Sequence, residues 1–273
     1  MSAIPSSNKR RTIPELRARK GKSPIVALTA YSALTARFVD PYADFILVGD
    51  SLAMVEHGMA TTIGASLDMM ILHGQSVMRG SEKAAVVIDM PFGSYEASPQ
   101  EAYHNAVRIL SETGCSAVKL EGGSHLAPVI AFLTARGVPV MGHIGLTPQY
   151  VQTLGGFKIQ GHSSEQQDKI KQDALDFEAA GAFSVVLEGV TEPLAREITD
   201  NIAIPTIGIG ASSYCDGQVL VLEDMLGFND KVPRFVKKFA HLGDDIKKAV
   251  SDYATAVSNR SFPAEDNIYR PKS

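Results

Sequence analysis

The chain carries two interleaved hydrophobic patterns. Short runs that are apolar at nearly every position recur at residues 24–29, 45–49, 85–89, 117–121, 138–142, 184–188 and 204–209, with a weaker run at 218–221. Continuous rather than alternating apolar character is the mark of parallel strands covered on both faces. Between these runs the apolar residues return at helical spacing. Ser98-Pro99-Gln100-Glu101 predicts a helix start, with Ser98 as N-cap, Pro99 at the first helical position and Glu101 closing a capping box. Ala102, Ala106, Val107 and Leu110 carry that helix forward, and Gly114 stops it. A second helix is predicted over 165–180, stopped by Gly181, and a third from Thr191-Glu192-Pro193-Leu194. Residues 12–20 predict a short capped helix placed to plug the bottom of a barrel. Residues 233–259 predict one or two amphipathic helices, followed by a polar stretch after Phe262.

Eight strands separated by helices predict an α/β fold, a (β/α)8 TIM-type barrel with an N-terminal helix and C-terminal helices. The expected organisation is a single barrel domain over residues 1–273, with 1–11 and 262–273 as flexible tails. The shortness of the eighth run leaves an open doubly wound sheet as the alternative.

Composition changes this picture little. The 45% hydrophobic and 21% charged content of a 273-residue chain suits one large core in a globular domain. A formal net charge of −4 gives no reason to expect nucleic acid or an anionic membrane as a partner. No apolar run approaches the roughly 20 residues of a spanning helix. Glu15, soon after Lys9-Arg10-Arg11, weighs against a transit peptide. Cys115 and Cys215 are too few for a disulfide framework and read as reduced thiols of a cytoplasmic protein.

Candidate chemistry stands where such barrels keep theirs, at the C-terminal ends of the strands. Asp50 follows the second run, Asp89 ends the third, Glu121 the fourth and Glu188 the sixth. One acid after a strand is ordinarily a cap for the next helix. Four acids around one mouth are another matter, because two carboxylates about 4 Å apart repel by roughly 4 kcal/mol at an effective dielectric of 20. Such a group calls for protons or a cation, and an all-oxygen ligand set suits Mg²⁺. Lys119 lies two residues before Glu121 and so faces the same side. It either grips a substrate carboxylate or pairs with one of the acids. His143, after Gly142, is either a substrate contact or a structural residue. Gly208-Ile209-Gly210-Ala211 offers backbone N–H groups to an anion or simply makes a turn.

Longer motifs add a resemblance. Val48-Gly49-Asp50-Ser51-Leu52, Ile88-Asp89-Met90-Pro91-Phe92-Gly93-Ser94-Tyr95 and Val118-Lys119-Leu120-Glu121-Gly122-Gly123 occur in order. They are followed by Gly142-His143-Ile144-Gly145-Leu146-Thr147-Pro148-Gln149, Gly155-Gly156-Phe157-Lys158-Ile159-Gln160-Gly161, Ile207-Gly208-Ile209-Gly210-Ala211 and Cys215-Asp216-Gly217-Gln218-Val219-Leu220. Over residues 12–239 the chain resembles the ketopantoate hydroxymethyltransferase family. The resemblance implies transfer of a hydroxymethyl group from 5,10-methylenetetrahydrofolate to 3-methyl-2-oxobutanoate, giving 2-dehydropantoate for pantothenate and coenzyme A. It implies one Mg²⁺ per subunit among Asp50, Asp89 and Glu121. It implies a keto-acid site lined by Asp50, Ser51, Asp89 and Lys119, to which His143 is added from its placement, with Glu188 as proton acceptor. It further implies a cytoplasmic homo-oligomer, commonly a decamer. Two other readings compete: a Mg²⁺-dependent lyase or mutase barrel, whose usual Lys-x-Cys-Gly loop is missing here, and a catalytically silent barrel.

Overall fold

The computed structural model describes residues 10–271. The outer parts of both expected tails, residues 1–9 and 272–273, lie outside the described residues. Residues up to Val221 form one compact unit and those from Leu222 onward form another.

In the first unit eight parallel strands close on themselves in sequence order. They are β1 (Ile25–Thr29), β2 (Phe45–Val48), β3 (Ala85–Asp89), β4 (Ala117–Glu121), β5 (Val140–Gly145), β6 (Ser184–Glu188), β7 (Thr206–Ile209) and β8 (Gly217–Leu220). The closing pair is β1 with β8, running from Ile25 opposite Gly217 to Leu28 opposite Leu220. The open doubly wound alternative is therefore excluded: the short eighth run is a full barrel member, paired on both sides.

The helices are α1 (Ile13–Arg17), α2 (Ala33–Val39), α3 (Leu52–Val55), α4 (Leu67–Gly80), α5 (Pro99–Thr113), α6 (Ala127–Thr134), α7 (Val151–Leu154), α8 (Ser164–Ala179) and α9 (Glu192–Asn201). In α5 the Ser98 side chain accepts from Glu101 N–H, and Gly114 ends the helix in the left-handed region at φ 73°. The expected capping box is only half made there, since no bond returns from Glu101. The full box forms instead at α1, where Thr12 and Glu15 bond reciprocally. That helix is shorter than expected but does close the barrel floor: Leu16 packs with Ile25, Phe45, Ala85, Ala117 and Met141 in one buried cluster.

Strand β5 corrects one boundary. It begins two residues later than predicted and runs on through Gly145, so His143 lies inside the strand rather than at its end. A Cβ at Gly142 would collide with the Phe177 ring of α8, so its glycine serves close helix–sheet packing. Continuous burial holds for β2 to β4, whereas β1 and β8 expose Val26 and Gln218 on their outer faces. Both cysteines are unpaired and buried.

The second unit contains α10 (Leu222–Leu226), α11 (Leu242–Ser258) and a single 3-10 turn at Glu265–Asn267. Only α11 forms from the predicted 233–259 region. Val236 N–H closes one turn on Pro233 O at 3.0 Å and the turn does not propagate. Among the described residues no helix is long and apolar enough to cross a membrane.

Candidate active site

Side chains of a barrel strand point alternately inward and outward. The inward stripe starts apolar at the floor and turns charged at the rim. Ala85 and Val87 lead to Asp89, Ala117 to Lys119 and Glu121, Met141 to His143, and Val186 to Glu188. Strand register then sets lateral neighbours: Asp89 lies opposite Lys119, and Glu121 opposite His143. The predicted acids, the lysine and the histidine thus meet at one mouth.

Lys119 Nζ stands 3.2 Å from Asp89 Oδ1 and 3.2 Å from His143 Nδ1. His143 Nδ1 is 3.0 Å from Glu121 Oε2, and its Nε2 is 3.2 Å from Glu188 Oε2. Asp50 N–H donates to Asp89 Oδ2 at 3.1 Å, which puts the two aspartates side by side. Asp50 and Ser51 do not cap α3 with their side chains. Ser51 heads that helix without a side-chain cap bond, and its Oγ is 2.8 Å from the Tyr31 hydroxyl. Gly49 makes room for this, because a Cβ there would stand 2.8 Å from Ser51 Oγ.

Two residues that sequence reasoning passed over bind the cluster together. Gln149 is buried, and its backbone N–H donates to Glu121 Oε1 at 2.5 Å. Its side-chain amide donates to Asp50 Oδ2 at 2.9 Å and to Met90 O at 3.0 Å. The Tyr95 hydroxyl lies 2.5 Å from Gln149 Oε1 and 2.9 Å from the Glu121 carbonyl oxygen. Both residues stand in quoted motifs, but only the folded loop shows their reach. Of the Gly208-Ile209-Gly210-Ala211 segment, Gly208 and Ile209 end β7 and the chain bends at Gly210, with φ 60°.

Electrostatics divide the group. Burial, with repulsion from Asp89 and Glu121, pushes the Asp50 carboxyl up to about 8. Burial also raises Asp89, against the pull of Lys119. Burial works the same way on Glu121, but His143, Lys119 and the Gln149 N–H outweigh it and hold that carboxyl below its ordinary value. For His143, burial and Lys119 oppose the charge, yet Glu121 and Glu188 raise the imidazole to about 9. The protonated ring then lies between both glutamates as an ion-pair partner, although its Nε2 makes no directed hydrogen bond. Glu188 differs from the rest in access: its side chain is 17% exposed, against 1% for Glu121 and 3% for Asp89.

The donor set can be tested against a cation. Among the described residues no three acidic, histidine or cysteine side chains converge closely enough to chelate a bare ion. Glu121 spends its oxygens on His143 and Gln149. Asp89 Oδ1, however, is buried without a directed hydrogen bond despite its nearness to Lys119. Beside it lies Asp50, whose charge burial and repulsion disfavour. Two adjacent, under-satisfied carboxylates fit a hard divalent ion that keeps waters and takes further oxygens from substrate, which is how Mg²⁺ is usually held.

Comparison with known proteins identifies the fold and the family. Phosphonopyruvate hydrolase, solved in complex with oxalate and Mg²⁺, superposes with a TM-score of 0.62 over 95% of this chain and 92% of its own, at 11% identity. Phosphoenolpyruvate phosphomutase from Streptomyces platensis subsp. rosaceus gives 0.61 over 95% and 92%, at 13% identity. These similarities concern the barrel fold alone. At the level of sequence, the 3-methyl-2-oxobutanoate hydroxymethyltransferase of Bartonella quintana is 60% identical over 99% of this chain and 98% of its own. That of Parvibaculum lavamentivorans is also 60% identical over the same shares. A family model described as ketopantoate hydroxymethyltransferase matches residues 10–265, from the barrel floor to beyond α11. The strand-end acids, the closed barrel and this near full-length identity lead to one assignment: the chain belongs to the ketopantoate hydroxymethyltransferase family.

Proposed function

We propose that the hydroxymethyltransferase activity of this chain, a step of pantothenate biosynthesis, runs through an enolate of 3-methyl-2-oxobutanoate made in the acidic mouth of the barrel. The observation that carries this reading is the packing of Asp50 against Asp89 within a buried cluster that holds more carboxylates than Lys119 and His143 can offset. Asp50 and Asp89 are the residues that would hold Mg²⁺, one ion per subunit; Glu121, expected with them, has its oxygens taken by His143 and Gln149 and would act on the ion only through its charge or an intervening water. When bound, the ion supplies Lewis-acid polarisation of the keto group and positive charge for the developing enolate.

The remaining roles fall to side chains of the chain itself. Lys119, already paired with Asp89, presents its ammonium to the substrate carboxylate. Ser51, Asp50 and Asp89 line the same pocket, and His143 completes it between Lys119 and Glu188. Glu188 accepts the proton from C3, since it is the acid with open access. His143 Nε2, 3.2 Å away, sets the imidazole beside its carboxylate. The enolate carbon then attacks the methylene carbon of 5,10-methylenetetrahydrofolate as one carbon–nitrogen bond breaks. Water supplies the hydroxyl as the second carbon–nitrogen bond breaks, and the nitrogens of the departing tetrahydrofolate take up the protons.

The test is proton exchange at C3 of the keto acid in heavy water, with Mg²⁺ and without folate. Glu188→Gln is expected to slow exchange by about 10²–10⁴-fold while calorimetry shows keto-acid binding intact. Exchange at the wild-type rate would remove Glu188 as the base. Chelation should abolish exchange and added Mg²⁺ should restore it.

The same reading makes the chain a cytoplasmic homo-oligomer, a decamer in form. Its two unpaired, buried cysteines suit a reducing compartment. Ile246, Val250, Tyr253 and Val257 form an apolar stripe along α11, each 45% exposed or more, and a second copy would cover it. Sedimentation as a monomer at working concentration would remove this assembly.

A further inference from the structure

The segment between α7 and the first turn of α8 frames a cavity of about 680 Å³ that the enolate reading leaves unused. That volume suits a drug-sized organic molecule, whereas a small keto acid would leave most of it empty. Its charge is the reverse of the acidic mouth. Lys158 and His162 line it, and no carboxylate does. Neither side chain has an ion-pair partner among the described residues. Lys158 is held back over the start of the segment, since a Cβ at Gly155 would stand 3.5 Å from its Nζ. Gly155 and Gly156, at φ 67° and 115°, allow the chain to fold back this way.

The other lining groups suit a ligand with both polar and flat apolar parts. Ile159 is 59% exposed. Gln160 Nε2 is engaged by the Lys158 carbonyl at 2.9 Å, which leaves its amide oxygen as an acceptor. Gln166 Oε1 takes the N–H groups of Gly161 and His162, which leaves its amide nitrogen as a donor.

Backbone bonds tie this wall to the reaction centre. Gln160 N–H donates to Gly189 O at 2.7 Å, and Thr191 N–H donates to Gln160 O at 3.2 Å. The wall therefore runs as a parallel bridge along the residues directly after Glu188. Glu188 is in turn the acid of the cluster that solvent reaches.

We propose that this cavity receives the anionic, glutamyl end of the folate co-substrate. Lys158 and His162 face its carboxylates, and the methylene-bearing end extends along Gln160 to the mouth at Glu188. The proposal rests on the enolate reading for the identity of the second substrate. It separates the two substrates in space: the keto acid lies inside the acidic mouth, and the folate approaches over a cationic wall of its own.

The test uses Lys158→Ala, Lys158→Glu, Lys158→Arg and His162→Ala in the full-length enzyme, with three readouts. These are equilibrium dialysis of tetrahydrofolate pentaglutamate, the KM for the methylene form, and C3 exchange of the keto acid without folate. Lys158→Ala and His162→Ala are each expected to weaken folate binding and raise its KM by about three- to tenfold, the loss of one exposed polar contact. Lys158→Glu should weaken it further, and Lys158→Arg should restore it. C3 exchange should stay within about twofold of wild type, since the keto-acid pocket is untouched. Unchanged folate dissociation constants and KM in the alanine and glutamate variants would overturn the proposal. So would exchange that falls in step with folate binding, because the segment would then be a support of the acidic cluster. Absence of exchange in the wild-type enzyme would overturn the enolate reading instead, and dialysis would still decide the cavity.

Discussion

At the N-terminal end of the strands, Asp40 and Asp44 are buried, Asp216 is half-buried, and all three are fully engaged; at the C-terminal end, Asp50, Asp89 and Glu121 are buried and crowded. Asp216 takes the N–H groups of Gly21 and Thr206 at 2.8 and 2.9 Å and the Lys20 ammonium at 2.9 Å. Asp44 takes the Val26 N–H at 2.8 Å and pairs with Arg11 and Arg19. Asp40 accepts from Ser81 Oγ at 2.6 Å and from the N–H of Ala84 at 2.9 Å. Burial alone would raise the carboxyls of Asp40 and Asp216, but these donors outweigh it and both lie below the ordinary range. At the other end the donors fall short, and Asp50 and Asp89 are pushed up. Burial therefore does not mark the functional end. The shortfall of donors does, because it leaves the charge for something else to neutralise.

Substitutions at the two ends should separate activity from stability. Asp89→Asn is expected to lower turnover by at least about a hundredfold, a loss of several kcal/mol of charge stabilisation. Isothermal calorimetry should show weakened Mg²⁺ binding alongside it. Wild-type affinity for Mg²⁺ would break the contrast at its functional end.

Asp216→Ala should do the reverse, leaving turnover of the folded enzyme near wild type while costing about 2–4 kcal/mol by denaturant unfolding at pH 7. Its pH dependence has a definite sign. The folded-state carboxyl lies below its unfolded value near 3.9, so its contribution is present above about pH 4 and fades as pH falls through the folded value. The gap between wild type and variant should narrow in acid. A gap that stays constant down to low pH would show that the carboxylate charge is not what matters.

The smallest effect sharpens the comparison most. With its folded value about 8 and its unfolded value near 3.9, Asp50 destabilises the metal-free protein progressively as pH rises between them. Asp50→Asn should therefore raise the metal-free melting temperature at pH 8 by about 2–4 °C per kcal/mol relieved. Added Mg²⁺ should raise the wild-type value and leave the variant's nearly unchanged. A variant that melts lower than wild type without metal would mean that the two ends of the barrel are held in the same way.

Much of the functional end was legible from residue order. The strand runs stop at Asp89, Glu121 and Glu188, and the two-residue step from Lys119 to Glu121 placed both on the inward face, as found. Register was not legible. Nothing in the sequence sets Asp89 opposite Lys119 or Glu121 opposite His143, because lateral pairing follows from barrel stagger. The apolar run placed His143 at the end of its strand, but the strand's continuation through Gly145 and the packing of Gly142 against Phe177 showed only in the fold. Gln149 and Tyr95 stayed hidden because they act from segments beyond the strand ends. The floor acids were equally silent, since an aspartate before a strand has no pattern of its own, and Asp216 shows its purpose only when Lys20 and Thr206 are beside it.

Gln149 bears on how this barrel could be redesigned. One residue holds Asp50, Met90, Tyr95 and Glu121 in a common frame. Substitutions at any two of these positions should not combine as the sum of their separate effects, because each resets the partner through which the other is held. A redesign that exchanges the acids singly, on the assumption of independent sites, will meet that coupling at its first step. Altering Gln149 together with its neighbours treats the mouth as the single adjustable part it is.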